Sequence, residues 1–576
     1  MKKLNSKKVK DSRRWLSQYG DAKSNLEYPS NSMIDALMAV SRKYPEYYAY
    51  EYFGNKVTYR VFMKQIEDVA KSLKKYGVEK DDRVTICMPS TPEAICMVYA
   101  INLIGAVASM IHPLSSEKEI ENYINQADSK FMLTLDMALE KVLRIKRNTK
   151  LQKIIVASAG TSMPPLMREL YKITNYKKHV KIPKDDEDIV LWNKFISSAV
   201  NYVGICHEPR TSSDLAVILY SGGTTGTPKG IMLSNLSFNA LALEAHEMIK
   251  ESIPGNSVLS LLPIFHGFGL AVCIHTPLIC GMKCILIPQF NAKKFGELIK
   301  KYKPNILAGV PTLYEALLKQ KLNAKDLECV EAVISGGDIL SPELKKKVDN
   351  YLFEHGSNAK IRVGYGLTEA TAATCLSKED TEIEGCIGIP LPDNYFKIVK
   401  LDTHEEADID EDGEICINGP TVMLGYLNND AETNQVLRYH DDGKIWLHTG
   451  DVGSMDKFGT IIFKQRIKRI IVSSGYNVYP SYIENIIISH KDVLACTVIG
   501  IPDKYRGQVA KAYIVLKDGV EATSELKKEI QELCIKNVSK YAIPKEYEYR
   551  EQLPKTLVGK VAFTKLEEEN KQDVKE

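Results

Sequence analysis

What this 576-residue chain lacks narrows its possibilities first. It has no excess of one charge: 76 Lys and Arg stand against 73 Asp and Glu, a formal net charge of +3. Nucleic-acid binders carry a concentrated basic surplus, so no nucleic-acid partner is expected. It has no CxxC and no paired Cys/His spacing; its 12 cysteines are scattered singly. The nearest group, Cys273, Cys280 and Cys284, lies in apolar sequence and reads as buried thiols rather than zinc ligands. A reducing, cytoplasmic compartment fits that usage. It also lacks a long uninterrupted apolar run. The longest, Ala94–Ile111, is broken by Asn102, Gly105 and Ser109 and reads as a buried helix running into a strand, not a transmembrane segment. The basic start, Met1-Lys-Lys-Leu-Asn-Ser-Lys-Lys-Val-Lys10, has no apolar core behind it and is not a secretory signal.

What is present is an α/β pattern. The length calls for two or three domains, and 44% hydrophobic with 26% charged residues is ordinary for a soluble globular protein. Apolar strand, turn and amphipathic segment recur, as in parallel sheets covered by helices. Candidate strands are Val84–Met88, Ile154–Ala157, Leu215–Tyr220, Ser257–Leu262, Cys284–Ile287, Ile306–Val310 and Ala332–Ser335. Residues 158–193 break the pattern with Pro164-Pro165, a basic cluster (Lys177, Lys178, His179, Lys181) and then Asp185–Asp188. They read as a solvated loop or insertion, with a weak peripheral membrane patch as the alternative. Glu567–Glu576 reads as a frayed polar tail. Asp456–Thr460 has the make-up of a hairpin turn, and the character of the chain changes at Phe463-Lys-Gln-Arg-Ile-Lys-Arg469. The stretch of about 110 residues that follows has its own βαβ-like pattern and suffices for a small core.

The most informative run is Tyr220-Ser-Gly-Gly-Thr-Thr-Gly-Thr-Pro-Lys-Gly230. Glycines at Gly222, Gly223 and Gly226 let the backbone bend closely around an anion. Successive N–H groups, the hydroxyls of Ser221, Thr224 and Thr225, and the Lys229 ammonium then suit a phosphate chain. A strand precedes the run and order resumes at Ile231, which points to nucleoside triphosphate binding. A Walker A loop is excluded, because Pro228 stands where that pattern requires glycine before the lysine.

This run resembles the signature loop of the adenylate-forming superfamily: acyl-CoA synthetases, luciferases and the adenylation domains of peptide synthetases. Further motifs match in the same order, and the resemblance covers the chain from about Ser32 onward. It implies a large N-terminal adenylation domain of parallel-rich sheets with helices (31–465), after a basic extension (1–30), and a small mobile α+β C-terminal domain (466–576). It implies an ATP-dependent acid–CoA ligase working through acyl-AMP, with ATP and Mg²⁺ and with coenzyme A as co-substrate. Gly364-Tyr365-Gly366-Leu-Thr368-Glu369 resembles the motif over adenine and the α-phosphate, so that Thr368 contacts phosphate and Glu369 holds Mg²⁺. Ser335-Gly336-Gly337-Asp338 is similar to the loop near adenine and the acyl carbonyl. Thr449-Gly-Asp451 resembles the ribose anchor, assisted by Arg466. Leu262–Gly269 looks like the acyl-tunnel motif, with His266 near the carboxylate. Val472–Pro480 matches the stretch after the hinge, where Gly475 lines the pantetheine tunnel and Asn477 approaches AMP. Pro554–Lys560 resembles the loop that delivers the catalytic lysine, Lys560. Lys468 matches the hinge position.

The resemblance is incomplete. Val558 and Phe563 stand where relatives commonly have Ser or Thr and Arg, Asp338 replaces a common Ala, and Val472 and Ser474 replace lysines of some plant relatives; no role is carried over to those side chains. Glycine at 366 implies a pocket open to medium or long chains or rings, and Lys229 and Asp451 are expected at a solvated cleft. Transfer of the acyl group to a carrier protein and amino-acid activation remain the alternatives. Against the latter, Gly267-Phe-Gly-Leu-Ala271 offers no aspartate for an amine.

Overall fold

The computed structural model describes residues 13–174, 186–221, 228–401, 403–474, 476–555 and 561–573. Among them the strands form three sheets. In the eight-stranded sheet, Arg83–Cys87 is central. Phe131–Leu135, Lys153–Ala157 and Ile189–Leu191 follow in parallel on one side, and Val107–Met110 and Leu215–Ser221 on the other. Phe131–Leu135 and Val107–Met110 are buried at every residue, as strands covered on both faces must be. Polarity then reverses: Lys229–Ser234 runs antiparallel to Leu215–Ser221, and the two-residue strand Gly425–Tyr426 closes the edge.

The apolar stretch from Ala94 lies beneath this sheet. Pro92–Leu103 is a helix with every residue buried, opened by a Thr91 side-chain cap and a proline in its first turn, and it leads into Val107–Met110. The expected helix-into-strand is what forms. Among the described residues no helix is long and apolar enough to cross a membrane.

The fourteen-stranded sheet has two halves. Tyr48–Tyr52, Lys283–Leu286, Ser257–Ser260, Ile306–Gly309, Ala332–Gly336 and Ile361–Tyr365 run parallel. From Cys375–Leu376 onward, through Cys386–Pro390, Ile461–Arg466, Ile445–Met455, Gly413–Asn418 and Tyr395–Val399, every pairing is antiparallel. Each of the seven expected strands is present within one or two residues of its anticipated ends. In each large sheet one strand marks the change of polarity: Leu215–Ser221 pairs parallel with Val107–Met110 and antiparallel with Lys229–Ser234, and Ile361–Tyr365 pairs parallel with Ala332–Gly336 and antiparallel with Cys375–Leu376.

The five-stranded sheet belongs to the small C-terminal domain, centred on the hairpin of Val493–Asp503 and Gly507–Leu516. Alternation along these strands fills two cores. Val498, Ala510, Ala512 and Ile514 face the helices Pro480–Ile488 and Ser524–Asn537, while Ile499, Val509, Tyr513 and Val515 face Leu553 and Leu566.

Two expectations need correction, and one stretch left unassigned is filled in. Residues 158–193 are not wholly a loop: they carry the helix Pro165–Thr174 and the edge strand Ile189–Leu191, which pairs with Lys153–Ala157. The charged tail is helical through Asp573, because Leu566 of the helix Phe563–Asp573 is fully buried against the small sheet. The extension before residue 31 is packed from residue 13 onward: Trp15 is buried, and the Gln18 amide donates to the Phe458 carbonyl.

Candidate active site

The site forms where strand ends from both large sheets meet, the place where α/β sheets bind ligands. Ser221 ends its strand directly opposite Lys229, which begins the next, so the strands that flank the glycine-rich run are paired at these two residues. Gly222, Gly223, Thr224, Thr225 and Gly226 lie outside the described residues, as do Gly475 and Lys560. The Lys229 ammonium is 4.8 Å from the centroid of the Tyr426 ring and forms an ion pair with Glu432. The Tyr426 hydroxyl donates to Glu369 Oε1 at 3.0 Å. Burial, Glu369 and Glu432 together raise the Tyr426 pKa, which keeps its proton on the hydrogen bond. Lys229 and Glu369 are thus joined through one tyrosine. With Glu432 paired to Lys229, Glu369 is the carboxylate that suits a magnesium ion taking most of its ligands from phosphate and water.

Glu369 sits on a single turn of 3₁₀ helix, Thr368–Ala370, after the strand Ile361–Tyr365. The chain then reverses through Thr371 and Ala372, both at positive φ (52° and 79°), and the Thr371 hydroxyl donates to the Thr421 carbonyl at 2.7 Å. Left-handed backbone is costly for such residues and marks a loop held by its surroundings. Gly366 is required by this fold-back: a Cβ there would lie 2.0 Å from the Ala372 carbonyl oxygen. Glycine at 366 therefore has a backbone reason of its own, since any side chain there meets the Ala372 carbonyl.

The second cluster surrounds Asp451, which pairs in register with Arg466 across antiparallel strands. Its carboxylate accepts from the Tyr365 hydroxyl at 2.7 Å, and Arg466 Nε lies 3.4 Å away. Asp451 is 3% exposed, so it is not at the solvated cleft expected for it, whereas Lys229 is half-buried. Burial and the Asp451 charge raise the Tyr365 pKa, so the tyrosine is the fixed donor. Behind Asp451, Glu414 accepts from the Gly450 N–H at 2.9 Å and from His448 Nδ1 at 2.6 Å. Glu414, Cys416 and His448 are close enough to share a metal ion, but the Glu414–His448 hydrogen bond already fills the space between two of the three.

The remaining motifs approach the same crevice. Gly336 pairs with Gly364, and a Cβ at 336 would meet the Gly364 carbonyl at 3.0 Å and the Phe268 ring at 3.2 Å. Gly337 has φ +78°. Gly267 lies against Ala372 and Leu219, so the Leu262–Gly269 turn touches both the 366–374 loop and the strand leading to Ser221. His266 is exposed on that turn and accepts from the Phe268 N–H at 3.2 Å. Asp338 is exposed and only caps its neighbour Ile339.

Lys468 and Asn477 are not gathered here. Both are exposed, Lys468 on the turn Ile467–Arg469 and Asn477 in the hairpin strand Tyr476–Val478. The turn has a division of its own. Arg466 is held by Asp451 on the large sheet, whereas Arg469 pairs with Glu484 and lies 5.0 Å over the Phe563 ring in the small domain.

Tyr426, Glu432 and Glu414 were not foreseen. Tyr426 is 57 residues from Glu369 and Glu414 is 36 from Gly450, and no local pattern marks either pair. The tertiary fold brings them together, through paired strands in the case of Glu414 and Gly450.

Comparison with known proteins agrees with this geometry. Residues 37–427 match the family described as AMP-binding enzyme, and residues 482–560 match the AMP-binding enzyme C-terminal domain. The chain belongs to the AMP-binding enzyme family and is an enzyme. It is 32% identical to a long-chain-fatty-acid–CoA ligase of Bacillus subtilis, over 96% of this chain and 98% of that protein. It is 28% identical to luciferin 4-monooxygenase of Photinus pyralis, over 89% and 88% of the two chains. The fold is that of ATP-bound MatB from Rhodopseudomonas palustris, with a TM-score of 0.80, 23% identity and coverage of 93% and 99%.

Proposed function

We propose that the protein is an ATP-dependent acid–CoA ligase acting on medium- or long-chain fatty acids or similarly bulky carboxylates. The acid's carboxylate attacks the α-phosphorus of ATP, pyrophosphate leaves, and the thiol of coenzyme A then attacks the acyl carbonyl and releases AMP. The joining of Lys229 to Glu369 through Tyr426, with Asp451 held by Tyr365 four residues before Glu369, carries this reading. Lys229 and the 221–225 loop neutralise the phosphate chain. Glu369 takes Mg²⁺, which supplies further charge neutralisation when bound. Thr368 contacts the α-phosphate, and Asp451, fixed by Tyr365 and Arg466, accepts from the ribose hydroxyls. Gly364 and Tyr365 face adenine, Gly336, Gly337 and Gly366 border the acyl carbonyl, and His266 lies near the reacting carboxylate. Lys560 stabilises the charge of the adenylation step, and Gly475 and Asn477 serve the second step.

The two steps are assigned to different placements of the small domain, with the boundary at residue 466 and the turn at Lys468 as its hinge. The opposed holds on Arg466 and Arg469 support this. Amino-acid activation is disfavoured because the helix after His266, Phe268–His275, buries a neutral apolar run with no carboxylate to meet an amine.

The test is ATP–pyrophosphate exchange across acetate, hexanoate, octanoate, palmitate, benzoate and amino acids, followed by thioester formation with coenzyme A. Exchange strongest with the longer acids, and thioester from the same acids, is expected. Exchange with acetate alone or with amino acids overturns the acid class, and acyl-AMP without thioester overturns coenzyme A as acceptor.

A further inference from the structure

We propose that Glu414 is a positioning residue for the ribose anchor: through the Gly450 N–H it fixes the angle at which Asp451 is presented to the nucleotide. The strand Ile445–Met455 does not run straight past its neighbour Gly413–Asn418. Glu414 faces Val452 and Cys416 faces His448, so Ile415 alone stands opposite Thr449, Gly450 and Asp451. Three residues against one make a large bulge, and a bulge re-aims the side chain it carries. It also takes backbone N–H groups out of the ladder, and these need other acceptors. The Asp451 N–H finds the Thr449 hydroxyl at 3.1 Å, and that hydroxyl donates to the Ile415 carbonyl at 2.7 Å. The Gly450 N–H finds Glu414 at 2.9 Å. Gly450 has φ +72°, and a Cβ there would meet nothing within 4 Å. That side of the turn is open, so hydrogen bonds rather than packing set its orientation.

The Glu414 carboxylate is itself held. Its second oxygen accepts from His448 Nδ1 at 2.6 Å, and His448 Nε2 stands 2.9 Å from His440 Nε2. Both rings are buried. A carboxylate only accepts, so the Nδ1 proton belongs to His448, whose Nε2 then accepts from His440. A chain of three side chains thus ends on one backbone N–H, next to the residue that is to meet the ribose. This rests on the ribose reading of Asp451 and deepens it: Tyr365 and Arg466 hold the carboxylate, and Glu414 holds the backbone that carries it.

The test is the preference for ATP over 2′,3′-dideoxy-ATP, taken as the ratio of kcat/KM in ATP–pyrophosphate exchange with one acid. It is measured for the wild type, Glu414→Asp and Glu414→Gln, with a thermal melt of each. The wild type should prefer ATP roughly ten- to hundredfold, as for a hydrogen bond to a charged group. Aspartate keeps the charge but draws the carboxylate back by about 1.5 Å, out of reach of the Gly450 N–H, and its preference should fall about threefold or more. Glutamine loses the charge but keeps an acceptor at full length, and its amide N–H donates to His448 Nδ1 once both rings exchange tautomers. Its preference should stay within about twofold of the wild type. A charge with a purely structural role predicts the reverse order, and a general loss of stability lowers kcat/KM for both nucleotides alike. Preference unchanged in Glu414→Asp, or lost in a folded Glu414→Gln, overturns the positioning role while leaving the ribose reading intact. A wild type that does not distinguish the two nucleotides overturns the ribose reading itself, and the proposal with it.

Discussion

Replacing Asp451 with asparagine separates charge from shape at the position proposed to hold the ribose. The buried carboxylate accepts from the Tyr365 hydroxyl at 2.7 Å and faces the half-exposed Arg466 at 3.4 Å. Asparagine keeps a neutral acceptor for Tyr365, so that contact falls from about 1.5–3 to about 0.5–1.5 kcal/mol. The Arg466 contact, largely in water on the arginine side, is worth about 0–1 kcal/mol. The fold therefore loses about 1–2 kcal/mol, offset in part because a buried charge has been removed. ATP loses more: one of the two ribose hydroxyls has no charged acceptor left, a change of about 1.5–3 kcal/mol, or roughly ten- to hundredfold in the KM for ATP. The assay is ATP–pyrophosphate exchange at varied ATP, paired with a thermal melt. A large rise in KM with a small drop in melting temperature is expected. An unchanged KM in a folded variant refutes the ribose role, and a melt lowered without effect on ATP assigns Asp451 to structure alone. Arg466→Ala, measured alongside, should raise KM less than tenfold.

Further outcomes are open to measurement. Tyr426→Phe removes the donor to Glu369 and should lower ATP turnover about tenfold, while Lys229→Ala should lower it roughly ten- to hundredfold; steady-state exchange rates check both. Lys468→Pro fixes φ and removes an N–H at the turn, so acyl-AMP should form while thioester accumulates slowly; Lys560→Ala should do the reverse when acyl-AMP and coenzyme A are supplied. Equal loss of both steps in Lys560→Ala would remove that residue's assigned role. Burial holds the Glu244 carboxyl well above the usual carboxylate range despite the Asn394 amide at 2.7 Å. The folded state keeps a proton that the unfolded state releases, so this group's contribution to stability declines as pH rises through and above the ordinary glutamate range. Glu244→Gln should therefore melt progressively higher than wild type between about pH 4 and about pH 8; a difference independent of pH would show that Glu244 does not titrate on unfolding.

Seven strands of the two parallel regions were legible because burial on two faces leaves unbroken apolar runs, as in Ile306–Gly309. The motifs were legible because phosphate loops need glycine and hydroxyl residues in sequence. Two things were not. The helix Pro165–Thr174 escaped because its apolar stripe turns outward and sits among prolines and charges, so no core pattern accompanies it. The partners Tyr426, Glu432 and Glu414 escaped because each lies tens of residues or more from the group it meets, Tyr426 and Glu414 arriving on strands and Glu432 on the helix Asp430–Val436. The burial of Asp451 escaped for a related reason: Gly-Asp reads locally as a turn, and only Tyr365 and the facing strand close over it.

The opposed grips on Arg466 and Arg469 leave only Ile467 and Lys468 between them. Two residues carry four soft dihedral angles and span about 7 Å at full extension. A linker so short permits almost no translation of one domain past the other, so any large rearrangement must be a swivel about a nearly stationary point. Displacement then grows with distance from that point: groups beside the turn hardly shift, while the far end of the small domain sweeps a wide arc. Two contacts tie the small domain to the large one, the Ser481 hydroxyl donating to the Lys464 carbonyl at 2.7 Å and Asn485 pairing with Glu384, and any such swing must act on both.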